Sequence, residues 1–138
     1  MEFAALVAWI LAAGAGAYLL VRWLAAGGLR GQPAKVTRFP KAVLIGHPLS
    51  AVTGLGAWVA FVVTGRAWCA WLAFAILLAV AFQGVMLFTR WLVGVGGGGR
   101  HARGADQPFP ATAVALHGLV AVTTFVLVLL AALTTPHP

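Results

Sequence analysis

Two histidines stand inside long apolar segments of the chain, where ionisable side chains are rare. His47 opens the stretch HPLSAVTG and His117 opens HGLVAVTT, and five of the eight positions are identical. A neutral imidazole in hydrocarbon needs a hydrogen-bond partner, because an unsatisfied one costs several kcal/mol. Polar residues at such places usually have a function. The two histidines are therefore the first candidates for a binding site.

A matched pair of imidazoles can ligate a metal ion or a metal-centred cofactor. Zinc takes four ligands, and the apolar segments offer no carboxylate or thiol at the depth of His47 and His117. A copper site could add Met86 as a third ligand. A b-type haem takes two axial imidazoles from opposite sides. The pair therefore favours haem b over copper or zinc, with His47 and His117 as the iron ligands; the alternative is a structural role, in which each ring caps a backbone carbonyl or pairs with the other.

Small residues accompany both histidines on the same helix face. Positions three, four and seven residues after a helical residue lie on its side of the helix. We predict that these neighbours face a bound haem, and they are Ser50, Ala51 and Gly54 after His47, and Ala121 and Thr124 after His117. The Gly14/Gly16 pair of the first segment and the Gly54/Gly56 pair of the second are predicted to allow close helix approach.

Two arginines are candidates for binding the carboxylates of a haem. Arg22 and Arg90 end the first and third apolar segments, each within the tripeptide Arg-Trp-Leu. Haem propionates need cations at the membrane boundary, and both arginines are expected there. Arginines that snorkel to the interface would occupy the same places, so their position is compatible with haem without requiring it.

The elements that position these residues are predicted to be transmembrane helices. The 138-residue chain is 62% hydrophobic and only 8% charged, whereas soluble domains carry about a quarter charged residues. Stretches without charge reach the length of about 20 residues that crosses a bilayer. We predict four spans, and their bounds are 3–21, 42–64, 67–89 and 111–135. His47 and His117 then lie at nearly equal depth, about 9–10 Å from one boundary.

The chain is predicted to contain one helical hairpin twice, as repeat one (1–66) and repeat two (67–138). Arg-Trp-Leu, Phe-Pro and the histidine recur in the same order, at offsets of 68 to 70 residues. Repeats of two spans keep the same orientation and are related by an axis along the membrane normal. The fold class is therefore all-α, an integral membrane four-helix bundle made of two tandem hairpins with pseudo-twofold symmetry.

The charge distribution predicts the topology. Eight of the nine basic residues fall between spans one and two or between spans three and four, and only Arg66 falls on the other side. Basic loops stay in the cytoplasm, so we expect a multi-pass protein of the cell membrane (the inner or plasma membrane) with both termini extracytoplasmic. The net charge of +7 is explained by topology and by contact with anionic lipid headgroups rather than by nucleic acid.

The arrangement resembles b-type membrane cytochromes, in which four-helix bundles hold haem between histidines of facing helices. That resemblance covers the bundle with His47 and His117, and it implies one haem for electron transfer, haem sensing or haem handling, with a redox partner. The chain is also similar, over nearly its whole length, to small four-span membrane proteins of unknown function from high-GC Gram-positive bacteria, which implies no activity. Two alternatives stay open: a non-catalytic accessory or assembly subunit of a membrane complex, and a small transporter or channel gated by the histidines. No Ser/His/Asp set supports hydrolytic catalysis, and a homo-oligomer is compatible with all three functions.

Overall fold

The computed structural model of the chain describes residues 1–26, 41–96 and 109–135, without the side chains of 93–96. These residues form four α-helices, in the order α1 (Glu2–Ala25), α2 (Lys41–Thr64), α3 (Ala67–Gly96) and α4 (Ala111–Thr134). All four are long and apolar enough to cross a membrane, which indicates a multi-pass membrane protein. The predicted all-α four-helix architecture is confirmed.

Helices α1 and α3 are longer than the predicted spans. The expected ends are residues 21 and 89, but α1 continues to Ala25 and α3 to Gly96. Hydropathy falls at the arginine that follows each expected end, and for that reason the pattern predicts an end there. A helix does not have to end where the hydrocarbon ends, since an arginine side chain can extend toward the interface while the backbone ladder continues. Helices α2 and α4 differ from prediction by one residue each.

The helices form a ring in which the hairpins pack mainly against each other. The most extensive contacts join α2 to α3 and α1 to α4, and the contacts within each hairpin, α1 with α2 and α3 with α4, are fewer. Within the described residues, the helices on opposite corners of the ring, α1 with α3 and α2 with α4, are not neighbours. Each hairpin therefore depends on the other for most of its packing.

The two ends of the bundle differ in charge and in chain connections. We call the end that carries Arg22, Lys41 and Arg90 the basic end, and the end where α1 begins and α4 finishes the terminal end. At the terminal end α2 and α3 are joined by Gly65 and Arg66 alone. Gly65 has a φ of 67°, a backbone conformation that glycine adopts at no steric cost. Several residues of the predicted topology and repeat lie outside the described part of the chain, and they are Arg30, Lys35, Arg38, Phe39, Pro40, Gly97–Gly99, Arg100 and Arg103.

The core is densest toward the terminal end, where large aromatic side chains are buried. Trp9, Trp58 and Phe61 are almost fully buried and pack with small residues of α3 and α4. The Trp58 indole N–H donates to the Glu2 carbonyl at 3.3 Å, which satisfies its one polar atom. This aromatic core fixes the four helices in the half of the bundle that lies away from the histidines.

Candidate functional site

The two predicted histidines meet across the axis of the bundle. His47 on α2 and His117 on α4 belong to opposite corners of the ring, yet their ring centroids are 6.2 Å apart with an interplanar angle of 76°. Both side chains are half-buried. Because the described parts of α2 and α4 are not themselves neighbours, the imidazoles are what bridges the space between these helices at this level.

Each imidazole is anchored by a hydrogen bond to the backbone of a neighbouring helix. His47 Nδ1 donates to the Val80 carbonyl at 3.1 Å, and His117 Nδ1 donates to the Ala12 carbonyl at 3.0 Å. A carbonyl oxygen can only accept, so these two hydrogen bonds require a proton on Nδ1 in both rings. In the neutral form, Nε2 of each ring then carries the lone pair that can accept a hydrogen bond or bind a metal ion.

A glycine lies beside each imidazole. It is one helical turn away from the carbonyl that accepts the hydrogen bond of that imidazole. A Cβ atom at Gly16 would lie 3.1 Å from His117 Cε1, and one at Gly84 would lie 3.3 Å from His47 Cε1. Real Cβ contacts are seldom that short. Glycine at these two positions therefore lets the imidazoles come close to the backbones of α1 and α3.

The contacts of the two histidines are equivalent between the hairpins. Gly84 and Val80 lie 68 residues after Gly16 and Ala12 respectively, close to the offset of 70 between the histidines. The histidine of each hairpin is held by the first helix of the other: His47 by α3 and His117 by α1. We call this arrangement of the two histidines, the two glycines and the two carbonyls the histidine layer.

The small residues predicted to face a cofactor lie on the inward side of α2 and α4, but two of them have other contacts. Ser50, Ala51 and Ala121 are half-buried. Gly54 is buried beneath the Trp9 ring, whose Cζ2 would lie 2.9 Å from a Cβ there. Thr124 is buried, and its hydroxyl donates to the Val120 carbonyl at 2.8 Å. The Gly54 and Thr124 positions therefore close the space on the terminal side of the histidines, about 10 Å along each helix.

The two predicted arginines lie at the basic end. Arg22 is exposed and Arg90 is half-buried. Each follows the glycine of its helix, Gly16 or Gly84, by six residues, a rise of about 9 Å. Beside Arg90, the Trp91 ring stacks on Phe88 with centroids 5.8 Å apart. The Trp91 indole nitrogen is the one buried side-chain nitrogen or oxygen without a hydrogen-bond partner in the described part of the chain.

The described residues do not assemble a larger set of metal ligands around the histidines. Among them, no group of three or more His, Cys, Asp or Glu side chains comes together, so one chain does not form a four-ligand zinc site from these residues. Met86, the predicted third copper ligand, is 36% exposed on the outside of the bundle. The described residues therefore bring two imidazoles together here, a donor set that could hold a b-type haem.

Half of the histidine layer is not predicted by the sequence patterns described above. They indicate the two histidines, and they indicate Gly16 only as a residue that allows close helix approach. They do not indicate Gly84 or the carbonyls of Ala12 and Val80. The repeat offset contains the missing signal, because applying 68 residues to Gly16 leads directly to Gly84.

The geometry defines a class of protein, an all-helical multi-pass membrane bundle with a histidine layer between its two hairpins. Comparison of the chain with models of protein families, with curated proteins and with solved structures finds no match. A function for this protein therefore has to be inferred from the site itself.

Proposed function

We propose that the protein binds one b-type haem between His47 and His117. The observation that carries the proposal is the pair of imidazoles on opposite helices, 6.2 Å apart between centroids, with both Nδ1 protons committed to carbonyls. Two imidazoles that each bound one metal ion at about 2 Å would have centroids at about this separation. His47 and His117 are therefore the residues that would hold the iron.

The hydrogen bonds of the histidines are those expected of metal ligands. A ligating histidine usually donates its second ring N–H to a carbonyl or carboxylate, which fixes the tautomer and raises the basicity of the ligating nitrogen. His47 and His117 both have that bond, at 3.1 Å and 3.0 Å.

The surroundings are compatible with a macrocycle in this layer. One turn from the histidines, the inward positions Ser50, Ala51 and Ala121 are small, as a bound macrocycle would require. Arg22 and Arg90 lie toward the basic end, where they would pair with the propionates. A haem held there supplies one-electron redox chemistry. The residues of the chain orient it, exclude water and set its potential through their hydrogen bonds.

The proposed setting is the cell membrane, with both termini extracytoplasmic and the histidine layer nearer the cytoplasmic face. The support is the positive-inside distribution of eight of nine basic residues. One haem near one face suits exchange with a partner on that side, for electron transfer, haem sensing or haem handling. A single haem does not by itself carry electrons across the whole bilayer.

A structural role is the second candidate, and the same hydrogen bonds favour it. They fasten α2 to α3 and α4 to α1, as polar side chains often do between membrane helices. In that case the protein is a non-catalytic subunit of a membrane complex, and the imidazoles need no ligand.

Visible spectroscopy distinguishes the two candidates. The protein purified from haem-sufficient cells is expected to show a Soret band at one haem per chain and the sharp reduced bands of bis-histidine iron. His47→Ala and His117→Ala should each abolish or alter them. Thr53→Ala and Thr123→Ala are matched controls, since these exposed threonines lie six residues after each histidine and their hydroxyls donate to carbonyls of their own helix. Absence of stoichiometric haem favours the structural role, and a spectrum unchanged by both histidine substitutions rejects these ligands.

A further inference from the structure

The two glycines of the histidine layer occupy a special position relative to the hydrogen bonds. On α1 the carbonyl of Ala12 and the α-carbon of Gly16 lie one turn apart, and His117 approaches both, through Nδ1 and Cε1. On α3, Val80 and Gly84 stand in the same relation to His47. The position of each imidazole therefore depends on two features of one helix face: a backbone carbonyl that accepts from Nδ1, and a glycine without a Cβ beside Cε1.

A methyl group at either glycine would interfere with that placement. The Cβ would lie 3.1 Å from His117 Cε1 at Gly16 and 3.3 Å from His47 Cε1 at Gly84, so the ring has to move away from the helix. Cε1 is bonded directly to Nδ1, and the Nδ1–carbonyl distances of 3.0 and 3.1 Å lie within the ordinary range of N–H···O bonds, which ends at about 3.2 Å. A shift of a few tenths of an ångström therefore weakens the bond that fixes the proton on Nδ1.

We propose that Gly16 and Gly84 are positioning residues that hold both imidazoles as the Nδ1–H tautomer, so that each Nε2 presents its lone pair. The glycines thereby select the class of ligand: one that takes up this electron pair, such as a metal centre, rather than one that needs a hydrogen-bond donor from the protein. The tautomer is a property of the chain alone; only the identification of the ligand as haem iron rests on the proposed function.

Nitrogen-15 NMR of the haem-free, histidine-labelled protein in detergent or bilayers tests the tautomer directly. Protonated and unprotonated ring nitrogens resonate in well-separated regions. His101→Gln and His137→Gln simplify the spectrum to His47 and His117, whose signals are assigned with the two His→Ala variants. At a pH where the rings are neutral, we expect protonated Nδ1 and unprotonated Nε2 in both. Nε2–H as the main form of either ring in this otherwise native chain overturns the proposal, whatever any glycine variant does.

Glycine substitutions then test the cause. Gly16→Ala should shift the tautomer ratio of His117 toward Nε2–H by about five-fold or more, the loss of one ordinary hydrogen bond, and leave His47 nearly unchanged. Gly84→Ala should do the reverse. Gly14→Ala is the matched control, because Gly14 lies on the same helix and a Cβ there would have no described neighbour within 4 Å, so it should alter neither ring. A folded Gly16→Ala protein with an unchanged His117 tautomer overturns the role of the glycine.

Failure of this inference and failure of the proposed function give different results. A chain with both tautomers as expected that takes up no added haem keeps the positioning role and loses the haem proposal. A chain that binds haem through both histidines but shows the Nε2–H tautomer when haem-free keeps the haem proposal and loses the positioning role. If both hold, Gly16→Ala and Gly84→Ala should each shift the midpoint potential of the haem-bound protein, because a weaker Nδ1 hydrogen bond changes the basicity of the ligating nitrogen. Gly14→Ala should leave that potential unchanged.

Discussion

The histidine layer and the aromatic core lie in the same four helices, but the two hairpins contribute to them differently. In the histidine layer the contributions match: a histidine, a glycine and a carbonyl from each hairpin. In the aromatic core they do not. Trp9, Trp58 and Phe61 come from the first hairpin, and the equivalent positions of the second are Leu77, Val128 and Ala131.

The difference follows from what each region has to satisfy. A packed core needs total volume and shape, and it tolerates redistribution of that volume among neighbours. Large side chains on one hairpin can therefore be offset by small ones on the other. The histidine layer needs two imidazoles presented alike, so an exchange of size between hairpins would destroy it. Contacts that match between the two hairpins are thus what a shared site would require, whereas an unequal division of side-chain volume is what packing alone allows.

Trp58→Ala, in the aromatic core, should cause the largest loss in the free energy of unfolding. Trp58 is fully buried, and truncation of a buried tryptophan costs about 3–5 kcal/mol. Val128→Ala, at the equivalent position, should cost about 1 kcal/mol or somewhat more, since far fewer contacts are lost. The free energy of unfolding in mixed detergent micelles measures both. Equal losses would mean that the two hairpins share the core evenly after all. The exchange variant Trp58→Val with Val128→Trp should regain part of the loss of Trp58→Val alone, because the volume returns to the same layer.

Gly54→Ala should have an intermediate effect. A methyl group there would meet Trp9 at 2.9 Å and Ile76 at 3.1 Å, and overpacking of this kind costs about 1–3 kcal/mol. Gly56→Ala, two residues on, would have no described neighbour within 4 Å and should be neutral or stabilising, because alanine is the better helix former. The same unfolding measurement applies to both. If Gly54→Ala is as harmless as Gly56→Ala, the Trp9 contact does not govern the packing of α1 on α2.

His47→Ala and His117→Ala should have the smallest effects on stability in the haem-free protein, and nearly equal ones. Each removes one hydrogen bond worth about 1 kcal/mol. The carbonyls of Ala12 and Val80 retain their own helical bonds, so neither is left unsatisfied. Losses that differ by well over about 0.5 kcal/mol would show that the two halves of the layer are not equivalent. Thr53→Ala and Thr123→Ala give the baseline for surface changes on the same helices.

The sequence is sufficient to predict the four helices and the common level of the two histidines in the bundle. Uncharged length predicts spans, and the spacing of His47 and His117 from the ends of their spans predicts that they lie at the same level. Hydropathy could not locate the ends of α1 and α3, because Arg22 and Arg90 lower it without ending the helix. Nor could it show that Gly54 is covered by Trp9 instead of facing a ligand, since a small residue serves either purpose. Backbone partners such as the Val80 carbonyl have no signature in side-chain sequence at all.

Each histidine is held by a helix of the other hairpin, and this arrangement affects the order in which the protein can assemble. Transmembrane helices insert individually and associate afterwards, so α1 and α2 enter the bilayer before the carbonyl that holds His47, which is on α3, is in place. The imidazole of His117 finds its carbonyl on the very first helix. The half around His47 is complete once α3 has docked, and the half around His117 is complete only when α4, the last helix, has docked. A chain interrupted after α2 would leave the His47 imidazole in lipid without its acceptor. The complete histidine layer thus exists only in the fully assembled bundle. Any cofactor that needs both rings can bind only after all four helices have docked.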